Sequence, residues 1–488
     1  MFNRRPQKAM AGFSGSAVKV APMQKRNAEL KLDCTNEERR TARRYYGPWH
    51  ARIRPLSIVV VVSMNELMRR RFFVIPLLTV SFVTGASAYS VLTHEAIIDT
   101  VWKDNIQPLL LKRFPDSDEE NLRKAHGYAY GGAIIQDMGY YPFGNAFFSD
   151  LTHYVRSGEM IMNLIAESGN LNEYAFALGS MAHYAADTSG HQDATNKSVP
   201  MLYPKLKRRF GNVITYADDK VSHMKVEFGF DVSQVAQGNY AASAYHDFIG
   251  FEVAQSLLER AFAKTYGLEL SKLLHEDLAI GTYRFAVQSI FPTLTRAAWD
   301  LKKKEIMKAQ PSMTKRKFIY NLSRASYQKE WGKNYERPGF RARLLAVMFH
   351  VIPKVGPFKA FAFQPPTPAT ETLFMKSVNE TLTEYRALLT AQGQDSLKLP
   401  NKNFDTGEAV KPGKYRLADD AYAKLLDKLN GKPVPADLRA DILAYYSDMN
   451  APFDTKKDEK AWAKVLRDLE ALKGQEPATV SQSSGPDR

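Results

Sequence analysis

The chain has 488 residues, 44% hydrophobic and 24% charged, a globular composition long enough for two domains. Its net charge of +15 invites a nucleic-acid reading, but residues 1–88 carry 16 Lys/Arg against 5 Asp/Glu, which leaves +4 for the remaining 400 residues and little support for that reading. The one cysteine, Cys34, lies in the same basic segment, so the chain beyond residue 88 has neither a disulfide framework nor a thiolate metal site, and any transition-metal centre there is built from His, Asp and Glu, which favours zinc.

Residues 1–63 are Arg-rich and irregular, with one short apolar run from Ile58 to Val62, and read as an over-extended start or a leader. From Met64 the sequence MNELMRRRFFVIPLLTVSFVTGASA has the layout of a signal peptide over 64–88. Arg69, Arg70 and Arg71 form the positive region, Phe72 to Val83 the apolar region, and Ala86-Ser87-Ala88 the cleavage signal. The apolar run falls short of the roughly 20 residues a membrane span needs. The adjacent arginines before Phe72-Phe73 are compatible with twin-arginine export as well as general secretion. The expectation is an exported protein, periplasmic or secreted, whose new N-terminus is Tyr89.

Residues 89–300 read as helices joined by Gly/Pro/Asn loops. Leu171, Tyr174, Ala175, Leu178, Ala182 and Ala185 keep the spacing of an amphipathic helix, and Val91, Ile98, Val101 and Trp102 predict another near the start. Phe251 to Tyr266 and Leu278 to Leu301 add further helical stretches. Period-two alternation is scarce, so the fold class is all-α. Residues 301–474 form an additional helical C-terminal region, with helices over Thr370–Ala391 and Ala418–Asn430. Residues 352–369 and 393–415, rich in Pro, Gly and Lys, read as connectors, and 475–488 as a disordered tail.

Candidate chemistry concentrates between residues 94 and 227. His183 and Asp187, four apart in MAHYAAD, share one helix face, with Gly179 a turn earlier leaving room for another segment to approach. His191 follows past the breaker-like Ser189-Gly190. His223 and Glu227 repeat the imidazole-then-carboxylate spacing. Asp137 sits between the apolar run Ala133 to Ile135 and the aromatic loop around Tyr140, where a carboxylate is costly unless paired or coordinating. His153 closes that loop, and His94 shares an inward face with Ile98 and Val101. Taken singly, each is better read as a core histidine, a cap or a solvated helix pair. Five His and three carboxylates gathered in one cysteine-free stretch exceed the needs of one zinc and suit a cluster.

The ordered set Tyr89, His94, Asp137, His153, His183, Asp187, His191, His223 and Glu227 resembles the zinc-dependent phospholipase C family and, more distantly, the fungal single-strand nucleases of the same trinuclear fold. The resemblance covers Tyr89 to about Phe230, extending toward residue 300. It implies an all-α multi-helix domain with three zinc ions. One would be held by the amino group and carbonyl of Tyr89 with His94 and a shared Asp187. The second would take Asp137, His153, His183 and Asp187, and the third His191, His223 and Glu227. The family usually begins with Trp where this chain has Tyr89. The Asp187-to-His191 gap is shorter, and the 36-residue stretch from His191 to Glu227 longer, than the family's spacing.

A backbone amine can bind zinc only once cleavage exposes it, so the resemblance ties export to activity. It implies hydrolysis of a phosphodiester, for a phospholipid giving a phosphorylated head group and diacylglycerol, with contact to a membrane surface. Asp137 is the candidate for orienting or deprotonating the attacking water. Tyr140, Tyr141, Phe143, Phe147 and Phe148 are candidates to meet the substrate, by cation–π contact with a quaternary ammonium or by stacking, although core packing suits them as well. Two alternatives stay open: a single-strand nuclease or nucleotidase on the same scaffold, or a non-catalytic zinc-stabilised helical protein that binds a partner.

Overall fold

A computed structural model describes residues 91–140, 144–237, 252–274 and 363–475, with isolated positions between 280 and 315. Tyr89, Tyr141, Phe143, the leader and signal segments, most of Leu278–Leu301 and the tail beyond Gln475 lie outside the described residues. The described residues all belong to one compact unit spanning 79–488. Among them the chain is helical and forms no strand, only an isolated antiparallel bridge between Lys402 and Ala409.

In chain order the helices are α1 (Val91–Val101), α2 (Gln107–Arg113), α3 (Glu119–Ile134), α4 (Ala146–Tyr154), α5 (Ser157–Glu167), α6 (Leu171–Gly190), α7 (Asn196–Leu202), α8 (Pro204–Phe210), α9 (Lys220–Gln237) and α10 (Gln255–Tyr266). The C-terminal region adds α11 (Pro368–Gly393), α12 (Arg416–Leu429), α13 (Ala436–Tyr445) and α14 (Glu459–Gly474). Starts follow ordinary capping chemistry: Asp118 accepts from Asn121 N–H before α3, Asn170 from Glu173 N–H before α6, and Thr367 forms a capping box with Thr370 before α11.

Among the described helices α6 is central, buried almost throughout from Tyr174 to Gly190. Its closest neighbour is α3, and the reason is the absence of two side chains. A Cβ on Gly132 would stand 1.9 Å from the Phe176 carbonyl oxygen, and one on Gly179 would stand 2.0 Å from the Ala129 carbonyl oxygen. The two backbones therefore touch, and the sequence reading of Gly179 as room for another segment describes α3. Helix α11 also packs along α6, with the Tyr385 hydroxyl donating to the Leu178 carbonyl, and it reaches α9, where Phe374 stacks on Phe230.

The Ser189-Gly190 pair does not break the chain. Helix α6 runs through it into one π-helical turn, His191–Thr195, and on into α7. Such a turn fits one extra residue into the spiral and re-aims the side chains that follow, a device frequent at functional sites.

Candidate metal centre

Each candidate side chain is delivered by a different local device. Helix α1 presents His94 on its buried face, and its first turn is tied down by Asp231 of α9, which accepts from Leu92 N–H at 3.0 Å and the Thr93 hydroxyl at 2.5 Å. The end of α3 tightens into a 3₁₀ turn, Ile135–Tyr140, that carries Asp137. His153 lies on the last turn of α4, and α6 presents His183 and Asp187 one turn apart. The π-turn places His191 and α9 places His223 and Glu227. All eight side chains are buried, none more than 3% exposed.

The structure draws them into adjoining groups. Asp187 lies at the junction: its Oδ1 is 3.5 Å from His94 Nε2, and its Oδ2 is 3.2 Å from His183 Nε2 and 3.5 Å from His153 Nε2. Asp137 Oδ1 is 3.4 Å from His153 Nε2. Glu227 Oε1 is 2.9 Å from His223 Nδ1 and 3.5 Å from His191 Nε2. Three sets lie close enough to share an ion: His94–His183–Asp187, Asp137–His153–His183, and His191–His223 with Asp405.

Hydrogen bonds on the far side of four rings decide which nitrogen faces inward. His153 Nδ1 meets the Ser149 carbonyl at 2.8 Å, and His183 Nδ1 the Ala133 carbonyl at 2.8 Å. His191 Nδ1 meets the Phe404 carbonyl at 3.0 Å, and His223 Nε2 the Asn196 Oδ1 at 2.7 Å. A carbonyl oxygen only accepts, so each of those ring nitrogens carries the proton. The opposite nitrogens, Nε2 of His153, His183 and His191 and Nδ1 of His223, are unprotonated in the neutral ring, fully buried, and make no hydrogen bond. A buried acceptor left so costs roughly 1–3 kcal/mol. Most of them face carboxylate oxygens at 3.2–3.5 Å. Two ligands about 2.0–2.1 Å from one zinc in tetrahedral array stand about 3.3 Å apart. The donor set, its tautomers and its spacing all fit zinc.

The electrostatics of the ion-free protein point the same way. Burial drives His94 down to about 3, with His183 adding to the effect and Asp187 opposing it. Burial would lower His153 and His191 too, but the carboxylates of Asp137 and Asp187 lift His153 to about 9, and Glu227, with Asp187 and Asp405, lifts His191 to about 10. Burial pushes Asp137 up against the pull of His153, whereas for Asp187 the surrounding imidazoles outweigh burial and hold it well below the carboxylate range. The cavity is built for positive charge, and without a cation it takes protons instead.

The aromatic candidates divide. Tyr140 is buried, donates to Asp150 Oδ1 at 3.1 Å and lies 5.7 Å from the His153 ring, beside the centre. Phe148 is fully buried and packs on Phe262 with centroids 5.6 Å apart, the core arrangement that the sequence allowed as its other reading. Phe147 is buried as well.

Sequence reasoning missed Asn196, Phe404 and Asp405. The last two come from the stretch read as a connector, which folds as a tight loop, 402–409, against the end of α6. Phe404 lays its ring beside His153 and His183, with centroids 5.2 Å and 5.9 Å away. Gly407, at φ +70°, makes the approach possible: a Cβ there would lie 2.5 Å from the Thr188 carbonyl oxygen. Composition marks a connector there, but neither composition nor periodicity tells where the loop packs.

Residues 93–276 match the family model described as zinc dependent phospholipase C. No curated protein and no solved structure matches the chain.

Proposed function

Since residues 93–276 of this chain are a zinc dependent phospholipase C domain, we propose that the protein is an exported zinc hydrolase that cleaves phospholipids to a phosphorylated head group and diacylglycerol. One observation carries the proposal furthest. Four buried imidazoles are each locked by a far-side hydrogen bond to a carbonyl, so that their opposite nitrogens, the ones free to coordinate in the neutral ring, converge on Asp137, Asp187 and Glu227.

His94 and Asp187 would hold one zinc, with the Tyr89 amine and carbonyl exposed by cleavage after Ala88. Asp137, His153, His183 and Asp187 would hold a second, and His191, His223 and Glu227 a third. Bound zinc lowers the pKa of water and offsets charge growing on phosphoryl oxygens. The rest falls to the chain's own groups. Burial raises the proton affinity of Asp137 against the pull of His153, and its Oδ1 stands 3.4 Å from His153 Nε2. That suits it to orient the attacking water and take its proton as the P–O bond forms. The bond to the glycerol oxygen then breaks, and the alkoxide leaves as diacylglycerol after taking a proton from solvent water, while Asp137 gives its own proton back to solvent. Tyr140, with its hydroxyl fixed on Asp150, walls the site beside His153. The signal-like segment 64–88 supports export.

The test is phosphocholine release from phosphatidylcholine dispersions by the zinc-loaded protein, with Asp137→Asn as the control. Release that the substitution reduces by at least about 100-fold is the expected result. Absence of release from protein with verified zinc would refute phosphatidylcholine as substrate and turn attention to single-stranded nucleic acid and other phosphodiesters.

A further inference from the structure

Asp405 lies well outside the residues that match the family model, in a loop of the C-terminal region, yet it is fully buried against His191 and His223. Its two carboxylate oxygens have different surroundings. Oδ2 is held by the Tyr216 backbone N–H at 3.0 Å and by the Tyr415 hydroxyl. Oδ1 accepts no hydrogen bond and stands 3.5 Å from His223 Nε2 and 3.7 Å from His191 Nδ1. Those are the far-side nitrogens of both rings, already shown to carry protons by the carbonyl partners they meet. The Asn196 amide cannot be turned to weaken that assignment, because its Nδ2 donates to the Asp405 backbone carbonyl at 2.6 Å and so leaves Oδ1 for His223. Glu227 occupies the opposite, unprotonated side of both rings.

We infer that Asp405 is a positioning residue of the third metal group, acting from behind His191 and His223 rather than as a ligand. One carboxylate charge faces two ring N–H groups, which fixes their tautomers and raises the basicity of the nitrogens turned to the ion. The same loop supplies the Phe404 carbonyl to His191 and the Asp405 carbonyl to Asn196, so the C-terminal region builds the outer support of this group. The inference rests on the zinc reading proposed above.

The test compares the full chain with Asp405→Ala and with Asp405→Asn, which preserves shape and guards against a folding defect in the alanine variant. Zinc affinities are read one ion at a time by competition with a fluorescent chelator, alongside the melting midpoint of the metal-free proteins. The expected result is a third zinc weakened about 10- to 100-fold in both variants, with the other two ions unchanged. An unweakened third zinc would overturn the inference, and so would loss of all three ions together with a lowered metal-free midpoint. Nitrogen NMR of the zinc-loaded protein gives a second check. His191 bound through Nε2 and His223 through Nδ1 supports the assignment, whereas binding through His191 Nδ1 and His223 Nε2 would put Asp405 on the metal's side and overturn it. A wild-type chain that binds no zinc overturns the zinc reading and the inference with it; three ions in the wild type with unchanged variants removes only the role of Asp405.

Discussion

His94 and His183 stack with ring centroids 4.6 Å apart and planes within 12°, and Asp187 reaches both through different oxygens. Burial first, and then the neighbouring His183, disfavour a charge on His94, which leaves that ring free to face the Asp187 carboxylate as a donor. Asp187→Asn is therefore expected to be the most damaging single change in the centre. On the proposed reading it should release two of the three zinc ions and lower phosphodiester hydrolysis by about 100-fold or more. Metal analysis of the purified variant checks it; full zinc content would show that the carboxylate does not bridge.

Zinc loading should displace protons. In the ion-free protein His153 titrates at about 9 and His191 at about 10, both raised above the ordinary 6.5, so at pH 7 each ring carries a proton that the ion must expel. Calorimetric titration at pH 7 in two buffers of different ionisation enthalpy should show release of about one proton from each ring. The release should fade as pH rises through 9 and 10. Buffer-independent heats at pH 7 would contradict it. By the same shifts these two rings stabilise the ion-free fold below pH 6.5, and the contribution is lost as pH climbs through 9 to 10.

Glu95 tests the surroundings of the centre without touching it. Burial raises its pKa well above 4.5, and the nearby Asp99 and Asp231 raise it further. The folded protein keeps that proton while the unfolded chain loses it, so stability is fully present below the unfolded value and falls as pH rises toward the folded one. Glu95→Gln removes the ionisation. Its stability relative to wild type should grow with pH, by at most about 1.4 kcal/mol per unit. Urea midpoints from pH 5 upward provide the measurement, and parallel curves would rule the effect out.

Gly179→Ala should cost about 1–3 kcal/mol of stability, because the added Cβ meets backbone rather than a movable side chain. The contact is the Ala129 carbonyl oxygen at 2.0 Å. Pushing α6 off α3 also disturbs the 2.8 Å bond from His183 to the Ala133 carbonyl, so zinc affinity should drop with stability. Gly169→Ala, whose Cβ would have only Glu173 Oε2 at 3.7 Å, is the matched control and should do little.

How much of this was legible beforehand depends on whether a contact is local. Spacing alone puts His183 and Asp187 on one face of α6 and His223 and Glu227 on one face of α9, because a helical repeat is written into neighbouring residues. That His183 and Asp187 gather with His94, His153 and Asp137, and His223 and Glu227 with His191, needed either the resemblance or the structure. The loop 402–409 shows the limit. Its Asn403 side chain folds it by accepting from the N–H groups of Asp405 and Thr406, a turn that composition can suggest, but its destination is set by glycine clearance at Gly407 and by bonds to Ser157 and His153. None of those partners leaves a trace in the loop's own sequence. The helix through Ser189-Gly190 was misjudged for a related reason: a breaker pair is outvoted when α11 and the loop 402–409 pack against the segment, as the Ser189–Glu384 bond and the approach of Gly407 to Thr188 show.

The hydrogen bond from His191 to the Phe404 carbonyl spans 213 positions, and that from Asn196 to the Asp405 carbonyl spans 209. Synthesis yields the helices bearing the ligands well before it yields the loop that sets two of their rings. Closing loops of that length is slow and cannot begin until the later segment exists. A nascent or truncated chain would hold His191 and His223 without the support that sets their tautomers, able to pick up metal loosely there but not in the finished arrangement. On the proposed zinc reading, selective capture of the third ion becomes one of the last events in maturation, and a chain cut short before residue 402 would forfeit it while keeping every candidate side-chain ligand within the matched residues 93–276.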